Sequence, residues 1–249
     1  MQRYFAIDKK DNLFILSTDD LWHIKKVMRM KDEASIEVVF DKKLYICSIH
    51  YEKENIVVSF IKEIIEKNTL NSNINIVIPL LKEQKMDFVL QKLAELGASH
   101  ITLIETERSV VKIPSDKFEK KYERWNKILK EASEQSKRTT IPILSEIKKI
   151  DYLAGMNGIN IVCSTIEKNN TIKKVFQNYK NYDTINVVIG PEGGLSLKEE
   201  NYLNEIGFKS VTLGSNILRV ETVPIYILSI INYIYMEWIY AKNVLYVIG

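Results

Sequence analysis

Two glycine-broken stretches near the end of the chain hold the residue types that could do chemistry. Val187-Val188-Ile189 breaks into Gly190-Pro191-Glu192-Gly193-Gly194, and the apolar run Val211 to Leu213 breaks into Gly214-Ser215-Asn216-Ile217-Leu218-Arg219-Val220-Glu221-Thr222. A short β-branched run bounded by glycine reads as a buried strand ending in a loop that approaches something closely. A phosphate cradle would want bare backbone amides and a lysine, yet the first loop carries Glu192 and has no Lys-Ser/Thr pair. The spacing also departs from the dinucleotide fingerprint. An acid beside exposed backbone suits a neutral or cationic ligand, of which an adenosyl sulfonium is one. Taken alone, the proline-glycine stretch also fits a plain tight turn.

The elements that must position these loops are readable around them. Ser196 and Glu199 have capping-box spacing and Gly207 stands at a helix stop, so the order is strand, loop, helix, strand, loop, helix. That order predicts a parallel α/β sheet with ligands at the carboxyl ends of its strands. Upstream, Ile74 to Leu81, a helix marked by Met86, Val89, Leu90, Leu93 and Leu96 and stopped at Gly97, and Ile101 to Ile104 make a crossover unit. A long helix follows, capped near Asp116 and Glu119 and burying Phe118, Tyr122, Trp125, Leu129 and Ala132. Glu131, Gln135 and Arg138 are spaced to converge beside that face, either as an intrahelical ion-pair network or as an arginine presented by its acidic neighbour. Ile159 to Thr165 is a further strand, whose end, Ser164 and Thr165, falls level with the glycine loops. Thr171 to Tyr179 reads as a short helix.

Residues 1 to about 70 alternate in a strand-like way: Tyr4 to Ile7, Leu13 to Leu16, Ser35 to Phe40, Leu44 to His50 and Asn55 to Ile61. Short strands at this spacing predict a small barrel. Asp20 to Met30 interrupts them as a helix, with Leu21, Ile24, Val27 and Met28 inward and Lys25, Lys26 and Arg29 outward. Such a charge run fits a solvated face as well as a phosphate contact. The polar, aperiodic stretch Glu63 to Ser72 reads as the linker, giving domains 1–72 and 73–249.

With 249 residues, 46% hydrophobic and 27% charged, the chain has the composition of a soluble globular protein of one large or two modest domains. A net charge of +3 is too small to imply nucleic acid by itself. Cys47 and Cys163 sit in apolar runs and read as buried, reduced thiols, and neither they nor the three histidines have metal-ligand spacing, so no metal is expected. Polar residues directly after Met1 argue against a signal peptide and for a cytoplasmic protein. The last helix, from about Thr222 to Lys242, is apolar on nearly every side, with tyrosines and Trp238 toward its end. Asn232 and Glu237 within it favour burial over a membrane span, against its own sheet on one side and the same helix of a second subunit on the other.

Ile189 to Gly194 and Leu213 to Thr222 together resemble the SPOUT class of S-adenosylmethionine-dependent RNA methyltransferases. More narrowly, they are similar to the ribosomal RNA small subunit methyltransferase E family, which methylates nitrogen 3 of a uridine in small-subunit ribosomal RNA. Arg3-Tyr4-Phe5, Gln91-Lys92 with Glu95-Leu96-Gly97, Thr106-Glu107-Arg108-Ser109, and Glu131-Ala132 with Gln135-Ser136 and Arg138 fall in the family's order. Val223-Pro224 departs from the pattern after Thr222, as do Asp32-Glu33 in the N-terminal part. The resemblance implies a PUA-like barrel, a SPOUT α/β domain with a trefoil knot, a homodimer, and S-adenosylmethionine as cofactor. It implies cofactor contacts from Ser164, Thr165, Ile189, Gly190, Pro191, Glu192, Gly193, Leu213, Gly214, Asn216, Ile217, Leu218 and Thr222. Arg219 is then expected to stabilise charge on the target base, with Glu221 as its orienting partner or a proton acceptor. RNA contacts are expected from Arg3, Lys25, Lys26, Arg29, Arg108 and Arg138, on a small ribosomal subunit whose target base is unpaired or flipped out, although an arginine beside aromatics, as Arg3 is, fits a packing residue equally well. A transfer RNA methyltransferase, a non-catalytic assembly factor and a small-molecule nucleotide enzyme are the alternatives.

Overall fold

The structure is a computed structural model describing residues 1–53, 55–65, 73–178 and 183–248, with side chains at 115 and 237–248 outside the description. The chain divides into two units: Met1–Thr69 with Lys130–Ile141, and Leu70–Leu129 with Pro142–Gly249. Of the expected linker, residues 66–72 lie outside the described residues, while Glu63 and Ile64 extend a strand.

The first unit is a six-stranded sheet of β1 (Arg3–Phe5), β2 (Asp8–Lys10), β3 (Leu13–Ile15), β4 (Ser35–Phe40), β5 (Lys43–Glu52) and β6 (Asn55–Ile64), in the order β1-β4-β5-β6-β3-β2. Only Ala6 and Ile7 separate β1 from β2, although these strands occupy opposite edges. Three residue steps reach at most about 11 Å, whereas a flat sheet of this width would hold its edge strands roughly 24 Å apart. The sheet must therefore curl on itself, as the expected barrel does. Tyr4, Phe14, Ile36, Val38, Cys47, Ile49 and Val58 fill its core. β2 is a strand with no apolar alternation. It pairs with β3 through its backbone, and Lys9 lays its ammonium 5.1 Å from the Tyr45 ring centroid and 5.3 Å from that of Phe14.

Helix α1 (Thr18–Trp22) is capped by the Ser17 hydroxyl and passes into a π-helical turn, His23–Val27. The extra residue in that turn corrects the expected inward face. Ile24 is buried, but Val27 and Met28 are 50% and 44% exposed.

The second unit is built on six parallel strands, β7 (Asn73–Pro79), β8 (His100–Ile104), β9 (Ile143–Lys148), β10 (Ile159–Cys163), β11 (Thr184–Ile189) and β12 (Lys209–Val211), in the order β12-β10-β11-β7-β8-β9. Apolar side chains on both faces of the central strands explain their unbroken β-branched runs. The exception is a buried polar ladder across four strands. The Thr102 hydroxyl donates to the Asn75 carbonyl at 3.0 Å, the Asn75 amide to Asn186 at 3.1 Å, and the Asn186 amide to Asn160 at 2.8 Å. Because these partners meet in only one pairing, the ladder favours one register.

Helix α2 (Glu83–Glu95) ends in a Schellman motif: Gly97 takes a φ of +94°, Ala98 N–H donates to Leu93 C=O, and Gly97 N–H donates to Ala94 C=O. α3 (Ser115–Gln135) begins one residue before Asp116, which therefore sits inside the first turn instead of capping it. α4 (Ile172–Phe176) has Thr171 as its cap, and Tyr179 lies outside the described residues. α5 (Leu197–Glu205) carries both halves of the Ser196/Glu199 capping box. α6 (Val223–Ile248) packs on α2, and the Asn232 amide donates to Leu96 C=O at 2.9 Å. Pro224 occupies its first turn, where a missing N–H costs no helical hydrogen bond. Among the described residues, no helix is long and apolar enough to cross a membrane.

Candidate active site

The strand order places the carboxyl ends of β12, β10 and β11 side by side, so their three following loops converge. They enclose a cavity of about 420 Å³ in the second unit. Of the residues expected there, Ser164, Thr165, Ile189, Gly190, Pro191, Glu192, Leu213, Gly214, Asn216, Ile217, Leu218 and Arg219 line it. Gly193, Glu221 and Thr222 stand in the same loops just outside the wall. Their backbones or side chains hold the loops: Gly193 C=O accepts from Arg108, and Thr222 N–H donates to Arg219 C=O.

Each loop is shaped by its own residues. The Ser164 hydroxyl accepts from the backbone N–H groups of Ile166 and Glu167, both at 3.0 Å. Three successive amides, those of Lys168, Asn169 and Asn170, then donate to Glu167 Oε1. The Asn169 amide leads in holding the Glu167 carboxyl below its ordinary range. In the first glycine loop, a Cβ at Gly190 would lie 2.8 Å from the Leu195 nitrogen, so only glycine fits without moving backbone. Gly214 opens the second loop at a φ of +121°, a conformation open to glycine.

Lys85, in the first turn of α2, is a site residue that sequence reasoning missed. Its ammonium lies 3.2 Å from Glu192 Oε1 and 3.2 Å from Glu221 Oε2, joining one carboxylate from each glycine loop. The Glu221 contact is an ion pair without hydrogen-bond alignment. Both acids raise the lysine's pKa, Glu221 leading. The Glu221 carboxyl is held below its ordinary range, first by its own backbone N–H and then by Lys85 and Arg219. Arg219 itself is exposed and, among the described residues, forms no salt bridge with either acid. Cys163 closes the cavity floor, and burial pushes its thiol up to about 12, which leaves it protonated and inert. Cys47 is likewise pushed up to about 12 by burial.

The basic residues separate into two groups. Lys25, Lys26 and Arg29 are exposed on and just after the π-helical turn. Arg3 is 3% exposed; its Nε donates to Glu37 at 2.9 Å and its Nη1 to Lys137 C=O. Of its two expected roles, burial beside an acid favours a packing ion pair within the first unit. α3 ends in a Schellman motif with Lys137 at a φ of +62°, so Arg138 lies beyond the helix and donates to Thr140 C=O at 3.1 Å. Burial lowers its pKa to about 10. Arg108 is exposed, and its Nη1 donates to Gly193 C=O at 2.9 Å and Leu195 C=O at 3.2 Å, fastening the first glycine loop. Beside it, Glu107 N–H donates to Glu199 Oε1.

A half-open cavity at the carboxyl ends of parallel strands, walled by glycine and edged by two carboxylates that share one lysine, can hold a small ligand bearing positive charge. Comparison with known proteins agrees with that setting. Residues 68–232 match the model of an RNA methyltransferase domain, and residues 16–61 that of an RNA methyltransferase PUA domain. Ribosomal RNA small subunit methyltransferase E of Bacillus subtilis is 32% identical, over 94% of this chain and 96% of its own length. The chain belongs to the ribosomal RNA small subunit methyltransferase E family. The Aquifex aeolicus member is also 32% identical, over 93% of this chain and 99% of its own. A crystal structure of the Neisseria gonorrhoeae member bound to S-adenosyl methionine superposes with a TM-score of 0.83 at 27% identity, covering 94% of this chain and 98% of that one. A PUA-like first unit and a methyltransferase second unit thus account for both halves of this family member's architecture.

Proposed function

We propose that this protein is an S-adenosylmethionine-dependent methyltransferase acting on nitrogen 3 of a uridine in small-subunit ribosomal RNA, within the assembled small subunit. The observation that carries the reading is the cavity formed by the loops after β10, β11 and β12 in a chain that aligns end to end with a member bound to that cofactor. Its size suits an adenosyl ligand. Glu192 and Glu221, tied together by Lys85, place negative charge at the rim. Those acids favour a cation over a free phosphate.

When bound, S-adenosylmethionine supplies a methyl group already activated on a sulfonium. The protein's share is to align the target and to stabilise the charge that nitrogen 3 and its flanking carbonyls acquire once the proton leaves. Arg219, exposed beside the cavity with no competing salt bridge among the described residues, is our candidate for that stabilisation. Glu221, kept ionised by Lys85 and by its own backbone N–H, is a poor proton acceptor. We assign it to holding Lys85, and the proton from nitrogen 3 passes to water or hydroxide. Lys25, Lys26 and Arg29 are assigned to RNA phosphates.

The same reading gives the second unit the SPOUT trefoil knot and places the protein in the cytoplasm with its ribosomal substrate. It pairs two copies through α6, whose Tyr226, Tyr233 and Met236 are exposed apolar side chains. Incubation with isotope-labelled S-adenosylmethionine and small subunits lacking the modification, followed by mass-spectrometric mapping, tests it. Label on nitrogen 3 of a single uridine is expected. Label only on transfer RNA, or none with active controls, would overturn it.

A further inference from the structure

Among the described residues of the first unit, the most exposed large aromatic side chain is an indole. Trp22, the last residue of α1, is 60% exposed, whereas Trp125 of the second unit is 3% exposed. Lys25, Lys26 and Arg29 follow it within seven residues, on and just after the π-helical turn, and Lys26, at i+4, comes about one turn past the indole. All three are exposed, as is Asp19 one turn before the indole. Val27 and Met28, brought outward by the π-helical turn, add exposed apolar surface. Arg29 closes the segment at a φ of +47°, which a side chain adopts only against a steric cost. A helix built only to be solvated would have no use for a bare indole, a π-helical turn and a left-handed arginine in succession.

We propose that Trp22 is a stacking platform for an unpaired base of the RNA, with Lys26 and Arg29 gripping the phosphates on either side. The chemistry favours RNA over an apolar protein partner. An exposed π-face followed within seven residues by three exposed cations matches a base attached to a charged backbone, and those cations would be costly to bury against an apolar surface. The inference rests on the reading of the protein as an RNA methyltransferase, and it adds which residue takes a base and where.

The full-length protein and its Trp22→Phe, Trp22→Leu and Lys26→Glu variants test this by fluorescence anisotropy with a short, labelled, single-stranded RNA of mixed sequence. Melting temperatures of all four should agree, since the replaced side chains are exposed. Trp22→Phe keeps a π-face and should bind within about twofold of the parent. Trp22→Leu keeps apolar bulk without the π-face and should bind about tenfold more weakly. Lys26→Glu should flatten the dependence of log affinity on log salt by roughly 0.7 or more, the share of one phosphate on a single strand. Parent-like binding by Trp22→Leu, or no RNA binding by the parent, overturns the proposal. So does loss of self-association in Trp22→Leu by sedimentation with RNA affinity intact, which would make the face a protein contact. Methyl transfer to small subunits is measured separately. A protein that binds RNA through Trp22 but transfers no methyl would sink the methylation reading and leave this one standing.

Discussion

Two glycines of one loop, three residues apart, should respond oppositely to the same small change. A Cβ at Gly190 would meet the Leu195 nitrogen at 2.8 Å, the Gly194 carbonyl carbon at 3.1 Å and Leu195 Cγ at 3.2 Å. Two of these are backbone atoms across the loop, so no rotamer change can relieve the contact. The loop must open by several tenths of an ångström. A Cβ at Gly193 would meet only the Arg108 side chain, at 3.6 and 3.7 Å, which is ordinary contact. Overpacking of the first kind costs roughly 1–3 kcal/mol, and each kcal/mol moves the melting temperature of a chain this long by about 2–4 °C. Gly190→Ala should therefore melt lower by about 2 °C at least, while Gly193→Ala should stay within about 0.5 kcal/mol of the parent. Because Ile189, Gly190 and Pro191 form cavity wall, the same displacement should weaken S-adenosylmethionine about tenfold by titration calorimetry, the equivalent of roughly 1.4 kcal/mol. Equal melting and equal affinity in the two variants would refute the steric reasoning. A lower melting temperature with unchanged affinity would show that this loop is not the cofactor wall.

Arg219→Ala should cut methyl transfer by about 10²–10³-fold while RNA and cofactor affinity hold, and a variant that methylates normally would remove Arg219 from the chemistry. Asn186→Leu would leave the Asn75 amide and the Asn160 carbonyl of the buried ladder without their partner. It should cost roughly 1–3 kcal/mol per orphaned group, read from the urea midpoint, and a neutral result would mean that the ladder relaxes onto other partners. Acid should weaken the first unit through Glu37. Burial opposes its charge, but hydrogen bonds from Arg3 and Lys137 prevail and hold the carboxyl below its ordinary range. Its stabilisation is therefore present above the unfolded-state pKa and lost as pH falls through the lower folded one. The stability gap between the parent and Glu37→Gln, followed by urea unfolding, should close across that acidic window and be flat near neutrality.

What was legible in the sequence followed from periodicity and local stop signals. The buried parallel strands announce themselves as β-branched runs because both their faces are covered. Ser196, Glu199 and Gly207 mark α5 because capping is local chemistry: Gly207 takes a φ of +98°, and Phe208 N–H closes the motif onto Leu203 C=O. Missed elements lacked such signals. β2 is Asp8-Lys9-Lys10, held at a sheet edge by backbone pairing and one lysine over aromatic rings. β9 is also an edge strand, where Ile143 is 62% exposed and only one face needs to be apolar. The π-helical turn was invisible because one inserted residue changes which side chains face inward without changing composition.

The site divides along the same line, between what a loop says about itself and what strand order alone can say. Every cavity-wall residue expected from sequence belongs to the end of a strand or to the loop directly following it, so knowing the strand ends was enough. Lys85 belongs to the helix after β7, about a hundred residues before the loops it joins, and it meets them only because β7 lies next to β11. No linear spacing encodes that adjacency. Arg3, open in the sequence between RNA contact and packing beside aromatics, is buried because its acid, Glu37, lies on the parallel neighbour β4 in register with it. Both cases turn on a partner supplied by a distant strand, and that partner determines whether a charged side chain is exposed for a ligand or holds the framework. Lys85 does both: it rims the cavity while tying together two of the three loops that form it, so the ligand charge the cavity accepts depends on a helix outside those loops.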